Sequence, residues 1–142
     1  LVSERTSHGY VVSTIKHAHH EADVDHEGAV SFRHRLAGAA EVALVTANRW
    51  ALMHELMGAA EPSLADILAR MSPVDLVVVE GFKREPIPKL DVRRREAADH
   101  TPLIADPNVI ATAGDVMSES DKPHFDLDDL ALVPAAFVTV TL

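Results

Sequence analysis

Cysteine is absent from the entire chain, which excludes a disulfide scaffold, thiolate metal sites and thiol redox chemistry. Basic residues are scarce beside acidic ones, 13 Lys and Arg against 22 Asp and Glu, for a net charge of −9. A nucleic-acid partner is therefore not expected, because gripping a polyanion rests on phosphate neutralisation by cations. A small anionic ligand stays open, since one local site can be positive on an acidic protein. Long apolar runs are missing too. The longest, residues 130–142, falls short of the roughly 20 residues that cross a bilayer, so no membrane span is expected. No signal-peptide pattern, internal repeat or low-complexity tract is visible, and a cytoplasmic protein is the default expectation. With 47% hydrophobic and 25% charged residues among 142, the composition suits one domain with a real core.

Along the chain, punctuation alternates with short apolar runs. Leu1-Val2-Ser3-Glu4-Arg5-Thr6, without an initiator methionine, reads as the last turns of a helix closed at His8-Gly9. A domain that opens on the tail of a helix is expected to have lost what precedes it. Residues 10–15, rich in Val, Thr and Ile, predict a strand. A polar loop over 16–28 and a short helix over 31–38 follow. The runs 41–47 and 49–56 meet at Asn48 and predict a hairpin. Pro62-Ser63-Leu64-Ala65-Asp66 marks a helix start, with Ser63 as N-cap and Asp66 three residues later. Leu64, Ile67, Leu68 and Met71 then share one helical face until Pro73. A strand over 74–80 comes next, then an extended segment over 86–93 that Pro86 and Pro88 assign to a sheet edge. A strand over 109–113 closes at Gly114-Asp115, residues 117–122 read as a loop, and a segment from Asp128 opens like a helix that Pro134 must kink or stop. Strands alternating with helices indicate an α/β fold.

Three constellations carry chemistry. The first is Leu76-Val77-Val78-Val79-Glu80-Gly81, an apolar run buried on both faces of a parallel sheet and ending in a carboxylate. Ligands of such sheets gather at the carboxyl ends of the strands. Glu80 there suits the acid that stands beside Mg²⁺ and phosphates in nucleotide enzymes, the Walker B position, and Gly81 allows backbone or phosphate to approach closely. The bland alternative is an acid leaving the sheet into solvent. The second is Lys16-His17-Ala18-His19-His20 with Asp23, Asp25 and His26. Imidazoles and carboxylates suit Zn²⁺ or Ni²⁺, yet no zinc-ligand spacing is present. An ordinary solvated loop is one alternative. A third reading follows from the preceding parallel strand: Lys16 faces phosphate, and Asp23 or Asp25 holds a water on Mg²⁺. The third is Asp115 at another strand end, where a carboxylate can accept the N1–H and 2-amino donors of guanine; a turn-forming Gly-Asp is the commoner meaning. The basic run Lys83, Arg84, Lys89, Arg93, Arg94 and Arg95 reads as a solvated face, or as a guide for an anionic ligand or acidic partner.

Together these stretches resemble the MobB family, GTP-binding accessory proteins of molybdopterin guanine dinucleotide biosynthesis. The resemblance rests on Ser13-Thr14-Ile15-Lys16-His17-Ala18-His19-His20, Asp23-Val24-Asp25-His26 and Ser31-Phe32-Arg33-His34-Arg35-Leu36-Ala37-Gly38-Ala39. It continues through Arg49-Trp50-Ala51-Leu52-Met53-His54-Glu55-Leu56, Val79-Glu80-Gly81-Phe82-Lys83, Pro88-Lys89 and Asp106-Pro107-Asn108-Val109-Ile110-Ala111. It spans nearly the whole chain, least distinctly after Asp115. Gly28-Ala29-Val30-Ser31 departs from the family's usual Gly-Lys-Asp-Ser.

The resemblance implies a P-loop NTPase-like, mostly parallel sheet flanked by helices, with a hairpin extension, forming one domain over 1–142. The family's Gly-x-x-x-x-Gly-Lys-[Ser/Thr] loop is not among these residues, and the expectation is that it and its strand lie upstream of Leu1. The resemblance further implies GTP with Mg²⁺ as ligands, a homodimer, and partnership with MobA, the enzyme that joins GMP to molybdopterin. GTP hydrolysis would be slow at most. The nucleotide-binding candidates are Lys16, Glu80, Gly81 and Asp115, and the Mg²⁺ candidates are Glu80 and Asp25. Two rivals stand beside this reading: another P-loop kinase or metallochaperone GTPase, and a metal-binding module built on His17, His19, His20 and His26.

Overall fold

Parallel pairing organises most of the strands in the computed structural model, which describes residues 1–18, 24–95, 105–117, 121–126 and the backbone of 139–141. In chain order the elements are α1 (Val2–Ser7), β1 (Val12–Lys16), α2 (Val30–Leu36), β2 (Glu41–Val45), β3 (Trp50–His54), α3 (Leu64–Leu68), β4 (Leu76–Glu80), β5 (Lys89–Arg93), β6 (Val109–Gly114), β7 (His124–Phe125) and β8 (Thr139–Thr141). They fall into two compact units: Leu1–Ala18 with Met71–Leu142, and His19–Arg70.

The first unit holds a six-stranded sheet in the order β1-β4-β8-β5-β6-β7, with every neighbouring pair parallel. The expected helix tail is α1, and its end is satisfied by Gly9 N–H on Thr6 C=O at 3.0 Å and Tyr10 N–H on Arg5 C=O at 3.2 Å, the double bond pattern that glycine permits just past a helix. Leu90, Val92, Ala111 and Ala113 form a buried apolar cluster on one face of β5 and β6, with Leu1 and Phe125 packed against it. The opposite face of β5 carries Lys89, Asp91 and Arg93, all buried.

That placement corrects the sequence reading of residues 86–93. The segment is no edge: β5 lies inside the sheet between β8 and β6. Pro86 and Pro88 precede the first ladder residue, so no proline nitrogen has to donate within the strand. Lys89 and Arg93 therefore leave the solvated basic run; Arg94 and Arg95 alone remain exposed beyond the strand. The short strands β7 and β8 were not expected. The segment assigned to a kinked helix from Asp128 lies largely outside the described residues, as do 118–120 of the expected loop.

In the second unit β2 and β3 pair antiparallel, Val45 opposite Trp50 and Glu41 opposite His54, which is the expected hairpin. Partners directly across an antiparallel pair share a face. Val45, Trp50, Ala43 and Leu52 thus lie on one face, and Val42, which is buried, with Met53, Leu44 and Ala51 on the other. The helix start at Ser63 is also as expected. The Ser63 hydroxyl accepts the Asp66 N–H at 3.2 Å and the Asp66 carboxylate accepts the Ser63 N–H at 3.0 Å, a reciprocal cap. The helix is shorter than its apolar stripe, however. Arg70 N–H bonds to Ile67 C=O, a tightened final turn, so Met71 falls beyond the helix and only Leu64 of the stripe is buried.

Candidate functional site

Lys16 and Glu80 are the last residues of β1 and β4, and the parallel register sets them side by side. Their side chains form an ion pair, Nζ to Oε1 2.9 Å, with the lysine 69% and the glutamate 35% exposed. The ladder runs one step further, with His17 N–H donating to Glu80 C=O at 2.8 Å. The chain then turns through two successive left-handed residues, Gly81 at φ +91° and Phe82 at φ +48°. A phenylalanine in that region costs on the order of 1 kcal/mol and is held only where its surroundings insist on it. Here the Phe82 ring stacks on His17, centroids 4.5 Å apart at 25°.

Gly81 is buried, and a Cβ at this position would stand 2.7 Å from His17 Cβ and 2.9 Å from His17 O. Of the two approaches anticipated for this glycine, it is the His17 backbone that occupies the space. The sequence reading missed Phe82 as the partner of His17. Its signal was the Gly-Phe pair directly after the strand, facing the residue that follows β1. Lys83 and Arg84 come next in the chain and are exposed, while Lys16 is the cation paired with the Glu80 carboxylate.

The remaining candidates are distributed elsewhere. Asp115 follows β6 and accepts the Arg95 N–H on Oδ1 at 2.8 Å, tying the exits of β5 and β6. It stands on the same carboxyl edge as Glu80 but three strand positions away, roughly 14 Å at the usual strand spacing. Asp25 belongs to the second unit. Its Oδ1 meets Arg35 Nη2 at 2.6 Å, while Arg35 Nη1 reaches Glu55 at 3.2 Å and the guanidinium lies 5.5 Å from the Phe32 ring centre. Arg35 beside Asp25 holds that carboxyl below the usual aspartate range. His19, His20 and Asp23 lie outside the described residues. Among the described residues, no three His, Asp or Glu side chains converge as a metal cage.

Among the described residues, the donor set at this corner fits Mg²⁺ better than a transition metal. Mg²⁺ keeps most of its waters and is commonly held through one carboxylate plus substrate phosphates, and Glu80 offers one accessible hard oxygen donor beside the Lys16 ammonium, which suits phosphate. The Pro88-Lys89 and Asp106-Pro107-Asn108 stretches serve a different purpose. Lys89 Nζ bonds Asp106 Oδ2 at 2.5 Å, Asp106 Oδ1 accepts Asn108 N–H at 2.8 Å, and Lys89 N–H meets Asn108 C=O at 2.8 Å. This clamp sits at the amino ends of β5 and β6, the edge opposite Glu80, and is structural.

The sequence model of the family described as MobB, Molybdopterin guanine dinucleotide synthesis protein B, matches residues 1–115. The chain is 40% identical over 134 residues to the molybdopterin-guanine dinucleotide biosynthesis adapter protein of Escherichia coli K12, covering 92% of this chain and 76% of that protein. It is 40% identical over 131 residues to the protein of the same name from Haemophilus influenzae, covering 90% and 71%. Its fold is similar to the crystal structure of Bacillus subtilis MobB, with a TM-score of 0.65 at 25% identity over 90% of this chain and 78% of that one. The parallel sheet with flanking helices is of the P-loop NTPase-like class.

Proposed function

The chain belongs to the MobB family of molybdopterin guanine dinucleotide synthesis proteins, and from that premise we propose that it is a GTP-binding adapter of molybdenum-cofactor biosynthesis. In this reading it is cytoplasmic, works as a homodimer and assists MobA. The observation that carries the nucleotide part is Lys16 beside Glu80 at the carboxyl ends of two neighbouring parallel strands. The ammonium offers a contact to phosphate oxygen, and the carboxylate orients the water shell of Mg²⁺. Gly81 brings the backbone to the same corner. Asp115 is assigned to guanine through the oxygen that Arg95 does not occupy. Asp25 lies in the second unit, where its Oδ1 is committed to Arg35. Lys16 and Glu80 do not by themselves cradle a triphosphate, which takes a run of backbone N–H groups.

Adding the full-length protein to MobA with molybdopterin, GTP and Mg²⁺ should raise the yield of molybdopterin guanine dinucleotide, and Glu80→Gln should lose most of that gain. If MobA is active alone and gains nothing, the adapter role is wrong. A gain that survives Glu80→Gln removes Glu80 from it.

The homodimer contact is assigned to the hairpin face bearing Val45 and Trp50, which are 73% and 71% exposed. Two strands alone are marginally stable in water, and an exposed aromatic beside aliphatic neighbours is typical of an interface centre. Trp50→Asp should weaken self-association by at least about 30-fold, the usual effect of removing an interface hot spot. Sedimentation should then show monomer at concentrations where the wild type is dimeric. An unchanged sedimentation coefficient would move the interface elsewhere.

A further inference from the structure

The functional proposal gives Lys16 to phosphate and Glu80 to Mg²⁺, yet the structure gives them to each other. Lys16 Nζ lies 2.9 Å from Glu80 Oε1, close to the place a divalent ion on that oxygen would take. Ammonium and metal therefore exclude one another there, by volume and by like charge. The parallel register makes the juxtaposition a property of the sheet, since Lys16 and Glu80 are partners in the final rung of the β1–β4 ladder. Only the lysine is free to leave. It is 69% exposed on a flexible four-carbon stem, whereas the glutamate is 35% exposed and its carbonyl is held by His17 N–H.

We propose that Lys16 and Glu80 form an exchange pair that makes metal and nucleotide load together. The inference rests on the nucleotide reading above and adds how the site is regulated. With neither ligand present, Lys16 occupies the cation position and disfavours metal alone. When a phosphate draws the ammonium away, Glu80 becomes available to Mg²⁺; when Mg²⁺ takes Glu80, the ammonium is released to phosphate. Each ligand removes the competitor of the other, and by linkage the gain in affinity is reciprocal. An exposed ion pair shifts an equilibrium by up to roughly fivefold. Repulsion between ammonium and a divalent ion in one place adds to this, so an effect of about tenfold is expected.

Mn²⁺ serves as the probe for metal alone, measured by electron paramagnetic resonance on the full-length protein. Lys16→Gln should bind Mn²⁺ about tenfold more tightly than the wild type without nucleotide, and Lys16→Gln combined with Glu80→Gln should lose that gain. GTP binding measured by calorimetry in EDTA should be several-fold tighter for Glu80→Gln than for the wild type, because Lys16 is freed. The factor by which Mg²⁺ raises GTP affinity should shrink toward one in Lys16→Gln. Both side chains are solvent-accessible, and matching thermal melts would establish that the variants fold. Normal GTP binding by the wild type, with unchanged Mn²⁺ affinity in Lys16→Gln or no gain in EDTA for Glu80→Gln, overturns the exchange and leaves the nucleotide reading intact. A wild type that binds no GTP with or without Mg²⁺ overturns the nucleotide reading and the exchange with it.

Discussion

Arg93→Glu should destabilise the protein by about 3–5 kcal/mol, while Arg94→Glu, one residue on, should stay within about 0.5 kcal/mol. The two arginines are adjacent in a run of three that composition treats as equivalent. Arg93 ends an interior strand and places Nε and Nη2 on one oxygen of Asp91, at 2.9 and 2.7 Å. Asp91 is fully buried and Arg93 nearly so. A glutamate at 93 would replace the guanidinium with a second carboxylate beside a buried one, and neither could be solvated cheaply. The backbones are also close here: a Cβ on Gly114, the register partner of Arg93, would stand 1.9 Å from the Arg93 carbonyl oxygen. Arg93→Lys should fall between the two variants, since it keeps the charge but loses the planar fork. Urea denaturation of the three variants measures the difference. Equal midpoints for Arg93→Glu and Arg94→Glu would return Arg93 to the solvated face.

Asp106→Asn should cost a similar amount, about 3–5 kcal/mol, because it strips the counter-ion from Lys89, which is only 1% exposed. The same pair contributes to the acid limit of stability. Lys89, and then the Asn108 N–H, hold the Asp106 carboxyl below its ordinary value of 3.8. The folded state thus takes up the proton less readily than the unfolded chain. The stability from this group is complete above 3.8 and is lost as pH falls through the lower folded value. Asp25 and Asp66 are held low in the same direction, by Arg35 and by Ser63, so the wild type should lose stability progressively below pH 3.8. Asp106→Asn should start less stable at neutral pH and show a shallower acid limb. A limb of unchanged slope would mean that Lys89 does not bias the titration of Asp106.

The elements that could be read in advance are those whose cause is local. The cap at Ser63 needs only Asp66 three residues on, and the end of α1 needs only a glycine past its last turn. The hairpin needs two β-prone runs around Asn48, and the strand ending at Glu80 needs an aliphatic run between Pro73 and Gly81. Where reading failed, the cause was distant in sequence. Pro86 and Pro88 do favour an edge, but the strand starts after them and its neighbours come from residues 109–114 and 139–141. The alternation of Lys89, Asp91 and Arg93 was visible as three charges on one face of a strand. Their burial was not, because strand spacing states which face residues share but not what covers it.

The candidate site divides along the same line. The sequence by itself determined an acidic α/β protein without thiol chemistry and Glu80 as the carboxylate at a strand end, because these follow from composition and periodicity, and it pointed to the family through the resemblance of its motifs. Only the tertiary structure decided that Lys16 is the partner of Glu80, that Gly81 yields its space to the His17 backbone, and that Asp25 is committed to Arg35. It also decided that Lys89 and Arg93 serve the core of the sheet instead of its surface. Sheet order and register bring together residues tens of positions apart, and the free energy of a charge depends on that assembled surrounding, on its counter-ion and on its access to water, none of which is a property of neighbouring residues in the chain.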